Sequence, residues 1–256
     1  MYLKERSVMK WFKKEEPIIE FSCREWAIRK YAPVLPAHNF MPDAYKDIPT
    51  GTICPFDPFH NASLLSIKLC PALNQYQSAG YVIPAWADME ISFDDNGGYS
   101  VKVANPDYRV LAHTEEQYPG LLENRFKFRT TLKFLCPWSV KTKPGYSLMW
   151  LPMFFHDVNY QAVPAILDAD ILPNELPINM MFFERKTTFI KMGDPLVHII
   201  PFKRTDITGI SREYNDADQK RWKSLHGLRL LTKVSWRPFI KNKLKFTLDR
   251  KDTDLT

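Results

Sequence analysis

From Trp138 to Arg204 the chain alternates short apolar runs with corners marked by proline and glycine, and that rhythm constrains the fold more than any other feature. Lys143-Pro144-Gly145 reads as a turn, because proline presets φ and glycine accepts a positive φ. Tyr146 to Met153 follows, rich in the aromatic and long apolar residues of a half-buried strand. Leu176 to Phe183 repeats the pattern. Met192-Gly193-Asp194 makes a second tight turn that leads into a further apolar strand from Leu196 to Phe202.

The rest of the chain supports a mainly β reading. Twenty prolines stand against nine glycines, a balance that suits many short strands with rigid corners better than a helical bundle. With 256 residues, 45% of them hydrophobic, the chain is long enough to bury a sizeable core. Leu64 to Leu69, Tyr81 to Pro84, Met89 to Phe93, Tyr99 to Val103 and Phe126 to Leu135 read as strands. Asp94-Asp95-Asn96-Gly97-Gly98 is the strongest hairpin signal, since Asn-Gly supplies the positive φ angles of a tight turn, and this hairpin is expected to extend the sheet of the 138–204 stretch. Pro71 suits the first position of a short helix and Gly80 the residue just past its end.

Three regions are expected: residues 1–62, an N-terminal arm and proline-rich connector; 63–205, the β domain; and 206–256, a C-terminal helix with a basic tail. In the first, Lys10-Trp11-Phe12-Lys13-Lys14 mixes bases with aromatics, and six prolines between Tyr31 and Phe59 point to an extended surface connector. In the last, Asn215 suits a helix N-cap, and Trp222, Leu225, Leu228 and Leu231 recur at helical spacing. That amphipathic face is read as partner-docking, together with Lys241, Lys243 and Lys245 beyond it. From Lys220 onward eleven Lys or Arg face three Asp, a local +8 that leaves −2 for the preceding residues. A basic tail on a near-neutral body suits contact with nucleic acid or with an acidic neighbour.

No run approaches the roughly 18 apolar residues of a membrane helix, and Met1-Tyr2-Leu3-Lys4-Glu5-Arg6 lacks a signal peptide's apolar stretch. A soluble protein without membrane contact, cytoplasmic or virion-borne and not secreted, is expected. Cys23, Cys54, Cys70 and Cys136 lie too far apart for zinc-type pairs, and His113 with Glu115 and Glu116 reads as a solvated loop, so no metal site is expected. The residues with chemical potential are His156-Asp157 and Asp168-Ala169-Asp170. The two aspartates of the second group are read as facing opposite ways and forming no catalytic pair.

The order of Lys143-Pro144-Gly145-Tyr146, Ala165-Ile166-Leu167-Asp168-Ala169-Asp170 and Lys191-Met192-Gly193-Asp194 with its apolar strand resembles the β-clip core of trimeric dUTPases and dCTP deaminases. The resemblance covers about a quarter of the chain. It implies a β-clip or jelly-roll-like antiparallel barrel or sandwich, here followed by the amphipathic helix, and a homo-oligomer with a trimer favoured. It also implies a catalytic, sugar-binding role for Asp168. Where that family has an Arg-Ser-Gly phosphate-binding segment, this chain reads Leu151-Pro152-Met153-Phe154-Phe155-His156-Asp157-Val158. That stretch offers no arginine, serine or glycine to a triphosphate. Ile171 stands in place of the tyrosine after the aspartates, and no glycine-rich arm follows Arg204. The stretch from Ile67 to Ile91, with Gly80-Tyr81-Val82-Ile83-Pro84-Ala85-Trp86, is similar to uncharacterised phage and bacterial proteins.

Three functions are therefore expected in order. The first is a non-enzymatic structural or assembly protein without a cofactor, of the kind found in bacteriophage particles, docking on other structural proteins. The second is a divergent nucleotide hydrolase using Asp168, with Tyr146 or Tyr160 near the base, Arg185 or Lys191 on the phosphates, and Mg²⁺ as cofactor. The third is a small-molecule-binding β module, whose marker is a deep apolar cavity lined by Trp150, Phe154 and Phe182.

Overall fold

The structure, a computed structural model, describes residues 17–49, 51–53, 63–94, 98–105, 107–113, 117, 131–172, 175–184 and 186–231. The chain divides into two compact units, Met1–Thr205 and Asp206–Thr256. In chain order the first unit holds β1 (Ile19–Ser22), α1 (Trp26–Tyr31), β2 (Leu35–Pro36), a 3₁₀ turn at Ala37–Phe40, α2 (Asp43–Lys46), β3 (Gly51–Ile53) and β4 (Ser63–Leu65). A second 3₁₀ turn at Ile67–Leu69 leads to α3 (Pro71–Ser78), β5 (Tyr81–Pro84), β6 (Met89–Phe93), β7 (Tyr99–Val103) and β8 (Val110–His113). Then come β9 (Thr131–Thr142), β10 (Tyr146–Leu151), β11 (Tyr160–Ala162), β12 (Ala165–Leu167), β13 (Glu175–Phe182), β14 (Thr188–Ile190) and β15 (Pro195–Lys203). The second unit contributes α4 (Asp216–Leu231).

The expected class, mainly β and antiparallel with a C-terminal helix, is the one observed. One five-stranded sheet runs β1-β9-β13-β11 with β8 also on β9, and another runs β12-β10-β15-β5-β2. Period-two alternation decides what they bury. Leu132, Phe134, Cys136, Trp138 and Val140 of β9 are all at most 5% exposed, while the residues between them are half-exposed. Ile178, Met180 and Phe182 of β13 join them in one cluster with Leu148 and Trp150 of β10, Val197 and Ile199 of β15, and Ile83 of β5. The two sheets thus share a core, and burying each large apolar side chain in it contributes about 1.5–3 kcal/mol. Pro137 has no N–H for the ladder, and β13 shifts register between Glu175 and Pro177 beside it, a bulge that absorbs two prolines.

The corners behave as their residues dictate. Gly145 and Gly193 both take positive φ, +82° and +96°, at the two turns that bound β10 and β15. Pro71 opens α3, and Gly80 follows its end at φ +69°. A Cβ on Gly80 would stand 1.9 Å from the Ile199 carbonyl oxygen, so only glycine lets α3 turn into β5 this close to β15.

Elsewhere the structure departs from the sequence reading. The β6–β7 hairpin does not extend a main sheet; it pairs with β14 as a separate three-stranded sheet, because Thr188–Ile190 lies alongside β6. The Leu64–Leu69 run is a short strand and a 3₁₀ turn, and the 104–120 loop contains β8. The proline-rich stretch contains two short helical turns, which bury Ala37 and Tyr45, and β2, which pairs with β5, so it is more than a surface connector. Prolines at 36 and 42 sit just before those turns, where the missing N–H costs nothing. In the second unit Asn215 caps α4 as expected, its Oδ1 accepting from the backbone N–H of Ala217 and Asp218 at 3.0 and 3.2 Å. Trp222 is 57% exposed; the side chains of Leu225, Leu228 and Leu231, and all of Lys241, Lys243 and Lys245, lie outside the described residues.

Candidate functional site

Strands β10 and β15 pair antiparallel along their length, with Tyr146 opposite Lys203 at one end and Leu151 opposite His198 at the other. Polar groups gather at both ends. At the Tyr146 end the chain reverses after β12, as the backbone N–H groups of Ile171 and Leu172 bond the Asp168 carbonyl at 3.0 and 2.9 Å. This reversal turns both aspartates toward Arg204. Its Nη1 donates to Asp170 Oδ1 at 2.8 Å and its Nη2 to Oδ2 at 2.5 Å, while Nη1 also lies 3.0 Å from Asp168 Oδ1. Gly145 N–H donates to Asp170 Oδ2 at 2.7 Å, and the Ser147 hydroxyl to Asp168 Oδ1 at 2.5 Å. The guanidinium bonds, aided by the Gly145 amide, hold the Asp170 carboxyl down at about 2. The side chain of Asp170 is 6% exposed, whereas that of Asp168 keeps 43% of its surface open.

The expectation that Asp168 and Asp170 face opposite ways is corrected by this geometry. Residues two apart share a face even along extended backbone, so alternation never separated these two, and the turn after Asp168 carries both carboxylates to Arg204. Of the residues proposed to bind a substrate, Tyr146 shares this corner through its backbone, its carbonyl accepting from the Thr142 hydroxyl at 2.9 Å. Tyr160 is 5% exposed inside the other sheet, against Phe182, and burial pushes its phenol up. Lys191 sits in the turn before β15, at the strand's far end from Arg204. Arg185 lies outside the described residues. The structure therefore brings Asp168 and Tyr146 together and leaves Tyr160 and Lys191 elsewhere.

At the Leu151 end, α3 and the turn Met153-Phe154-Phe155 enclose a second polar group. His198, 4% exposed, donates from Nε2 to the Ala79 carbonyl at 2.5 Å and packs edge-on against Tyr76. His156 donates from Nε2 to the Phe40 carbonyl at 2.9 Å. Burial lowers the pKa of both rings, the carbonyl partners offsetting it in part, so both are neutral near pH 7. Gln77 is 8% exposed, and neither atom of its amide has a hydrogen-bond partner among the described residues. These side chains line a cavity of about 20 Å³, and Phe40, Met41, Pro42 and His156 also line an adjoining open cleft of about 420 Å³. Phe155 adopts φ +67°, a strained conformation for a bulky residue. The deep cavity expected around Trp150, Phe154 and Phe182 is not what forms: Trp150 and Phe182 fill the core, and Phe154 alone reaches this cleft.

No group of three or more His, Cys, Asp or Glu side chains suited to a metal occurs among the described residues. His113 bonds Gln117 at 2.6 Å, and Glu115 and Glu116 lie outside the described residues. The Cys136 thiol is fully buried and pushed up to about 12, which leaves no thiolate for chemistry at neutral pH. Among the described residues no helix is long and apolar enough to cross a membrane. Sequence reasoning missed Ser147, Arg204 and Gln77. The signal for Arg204 was its place at the end of the strand that the two glycine turns bring back beside Tyr146; nothing in the sequence marks Gln77.

No protein-family model matches the chain, and no curated protein does. Among solved structures it is similar to a point mutant of the dUTPase from phage phi11 of S. aureus, a protein described with a coordinated structural Mg(II) ion. The identity is 11%, the match covers 54% of this chain and 85% of that one, and the TM-score is 0.30.

Proposed function

We propose that the chain is a non-enzymatic structural protein that acts by assembling, as a homo-oligomer with a trimer favoured, in a particle of the bacteriophage kind. The observation that carries this reading is the bracing of the acidic corner. Both oxygens of Asp170 are spent on Arg204 and Gly145, and Oδ1 of Asp168 on Arg204 and Ser147, which ties β10, the β12 turn and the end of β15 into one corner. A carboxylate so engaged braces a fold more readily than it orients a reacting water. Beside it, Ile166 and Met149 are cross-strand neighbours, 65% and 37% exposed, an apolar pair suited to a second copy of the chain. The reading needs no cofactor, and it leaves the basic tail to an acidic neighbour or nucleic acid.

One observation favours the runner-up, a nucleotide hydrolase with Mg²⁺: Asp168, unlike Asp170, keeps an open face. Calorimetry with Mg²⁺ plus dUTP or dCTP, run beside light scattering, separates the two. The assembly reading expects no binding heat and a mass that is a multiple of the chain's, falling to one chain in Ile166→Asp. Binding heat that vanishes in Asp168→Ala, or a monomer throughout, sinks it.

A further inference from the structure

We infer that the cleft between α3 and the Phe154-Phe155 turn binds a small, flat ligand whose inserted end is an uncharged primary carboxamide directed at Gln77. The inference is independent of the assembly reading, which concerns the opposite end of β10 and β15.

Gln77 supplies the first observation. A buried amide in a folded protein is almost always hydrogen-bonded, and this one, 8% exposed, has no partner among the described residues for either its oxygen or its nitrogen. It lines the inner cavity. The group that answers an amide on both atoms is another amide, whose carbonyl accepts from Nε2 while its N–H donates to Oε1. A primary carboxamide keeps a second N–H, and the histidines supply its acceptor. Their Nε2 atoms each face a backbone carbonyl, which assigns the protons there and leaves Nδ1 of each neutral ring as an acceptor.

Charge and size narrow the class. Among the described residues no acidic or permanently cationic side chain lines the inner cavity, and burial keeps both imidazoles neutral. A carboxylate or an ammonium would lose its hydration there with nothing to replace it. The inner cavity, about 20 Å³, is small, so only the polar edge of the carboxamide enters it. The body lies in the adjoining cleft of about 420 Å³. Phe40 and Phe155 line it with Met41 and Pro42, beside the charged Asp43, Lys46 and Asp157. Phe155 stands 4.5 Å edge to face from Phe154 of the inner cavity, and Tyr45 stacks on it. Flat rings pack well against such edges.

Ligand-observed NMR and thermal melting of the full chain with benzamide and with benzoate test this. Benzamide is expected to bind and raise Tm, and benzoate to do neither. Gln77→Leu, which keeps the volume and removes the amide, is expected to weaken benzamide binding about tenfold or more while folding normally. Phe154→Ala, at the exposed rim where folding is safe, is expected to weaken it as well. Equal binding of benzamide and benzoate, or benzamide binding that survives both substitutions, overturns the inference. So does the absence of binding by benzamide together with a lower Tm in Gln77→Leu, which would mean that the cavity serves only a structural water.

Discussion

The two ends of the β10–β15 pair hold polar groups in opposite states. At the Tyr146 end the groups are charged and mutually engaged: one guanidinium reaches two carboxylates, and a backbone amide and a hydroxyl add to them. At the Leu151 end the groups are neutral and, among the described residues, under-supplied: two imidazoles are tied by one nitrogen each, and a buried amide has no partner. The first arrangement consumes its own hydrogen-bonding capacity and is suited to holding a corner. The second keeps capacity in reserve, and a protein retains such a group where something else completes it. On the function and the site proposed above, the residues that look most catalytic in sequence serve architecture, and a glutamine with no motif around it marks the receptive end.

The comparison is broken most severely at a glycine. Each end has one with positive φ, Gly80 after α3 and Gly145 before β10. At Gly80 a Cβ would collide with the Ile199 carbonyl at 1.9 Å, so Gly80→Ala must displace α3, and Gln77 with it, from β15. The expected loss is about 4 kcal/mol or more, at the exceptional end for one substitution. At Gly145 an added Cβ meets nothing within 4 Å, so Gly145→Ala carries only the left-handed strain, about 1–2 kcal/mol. Urea unfolding of both variants measures the difference; equal losses would mean that close approach at Gly80 is not what limits it.

The charged end is broken by removing one partner and not the other. Arg204→Met leaves Asp170, 6% exposed, beside Asp168 with no cation between them, and a drop in Tm of several degrees is expected. Asp170→Asn keeps an acceptor for Arg204 and the second carboxylate beside it, so its drop is smaller. If the two variants melt alike, the corner is held by packing, and the ionic contacts are incidental.

The sequence was readable wherever the physics is local. Pro144-Gly145, Gly193, Pro71 with Gly80, and the Asn215 cap each act within a few residues, and each appears where proline, glycine and asparagine demand it. The alternation around Lys133 and Phe134 likewise foretells which side of β9 is buried. The acidic corner was half legible. Asp168 stood out, but its partners depend on a chain reversal at 168–170 and on which strand returns beside β10, neither of which alternation encodes. The neutral end was nearly illegible, since Gln77, His156 and His198 come from three segments brought together only by the fold. The β6–β7 hairpin shows the same limit: its turn was plain, but its partner β14 lies 85 or more residues further along.

Acid titration sharpens the comparison with the smallest effect, because the two ends fail in different windows. His156 and His198 have pKa values lowered in the fold by burial, below the 6.5 of the free side chain. Above pH 6.5 folded and unfolded chains both hold them neutral and nothing is lost. As pH falls below 6.5 the unfolded chain takes up protons that the fold resists, and stability declines, a modest step since each ring is only partly desolvated. Asp170 behaves in the other window. Its carboxyl, held by Arg204 at about 2 against an unfolded 3.8, contributes stability that is fully present above pH 3.8 and lost as pH falls toward about 2. Urea midpoints followed from neutral pH downward should show two separate steps. His198→Gln should shrink the upper step and leave the lower one, and Arg204→Met should abolish the lower and leave the upper. A single merged step that both substitutions alter would show the two ends to be one coupled unit, and the contrast between a braced end and a receptive one would fall.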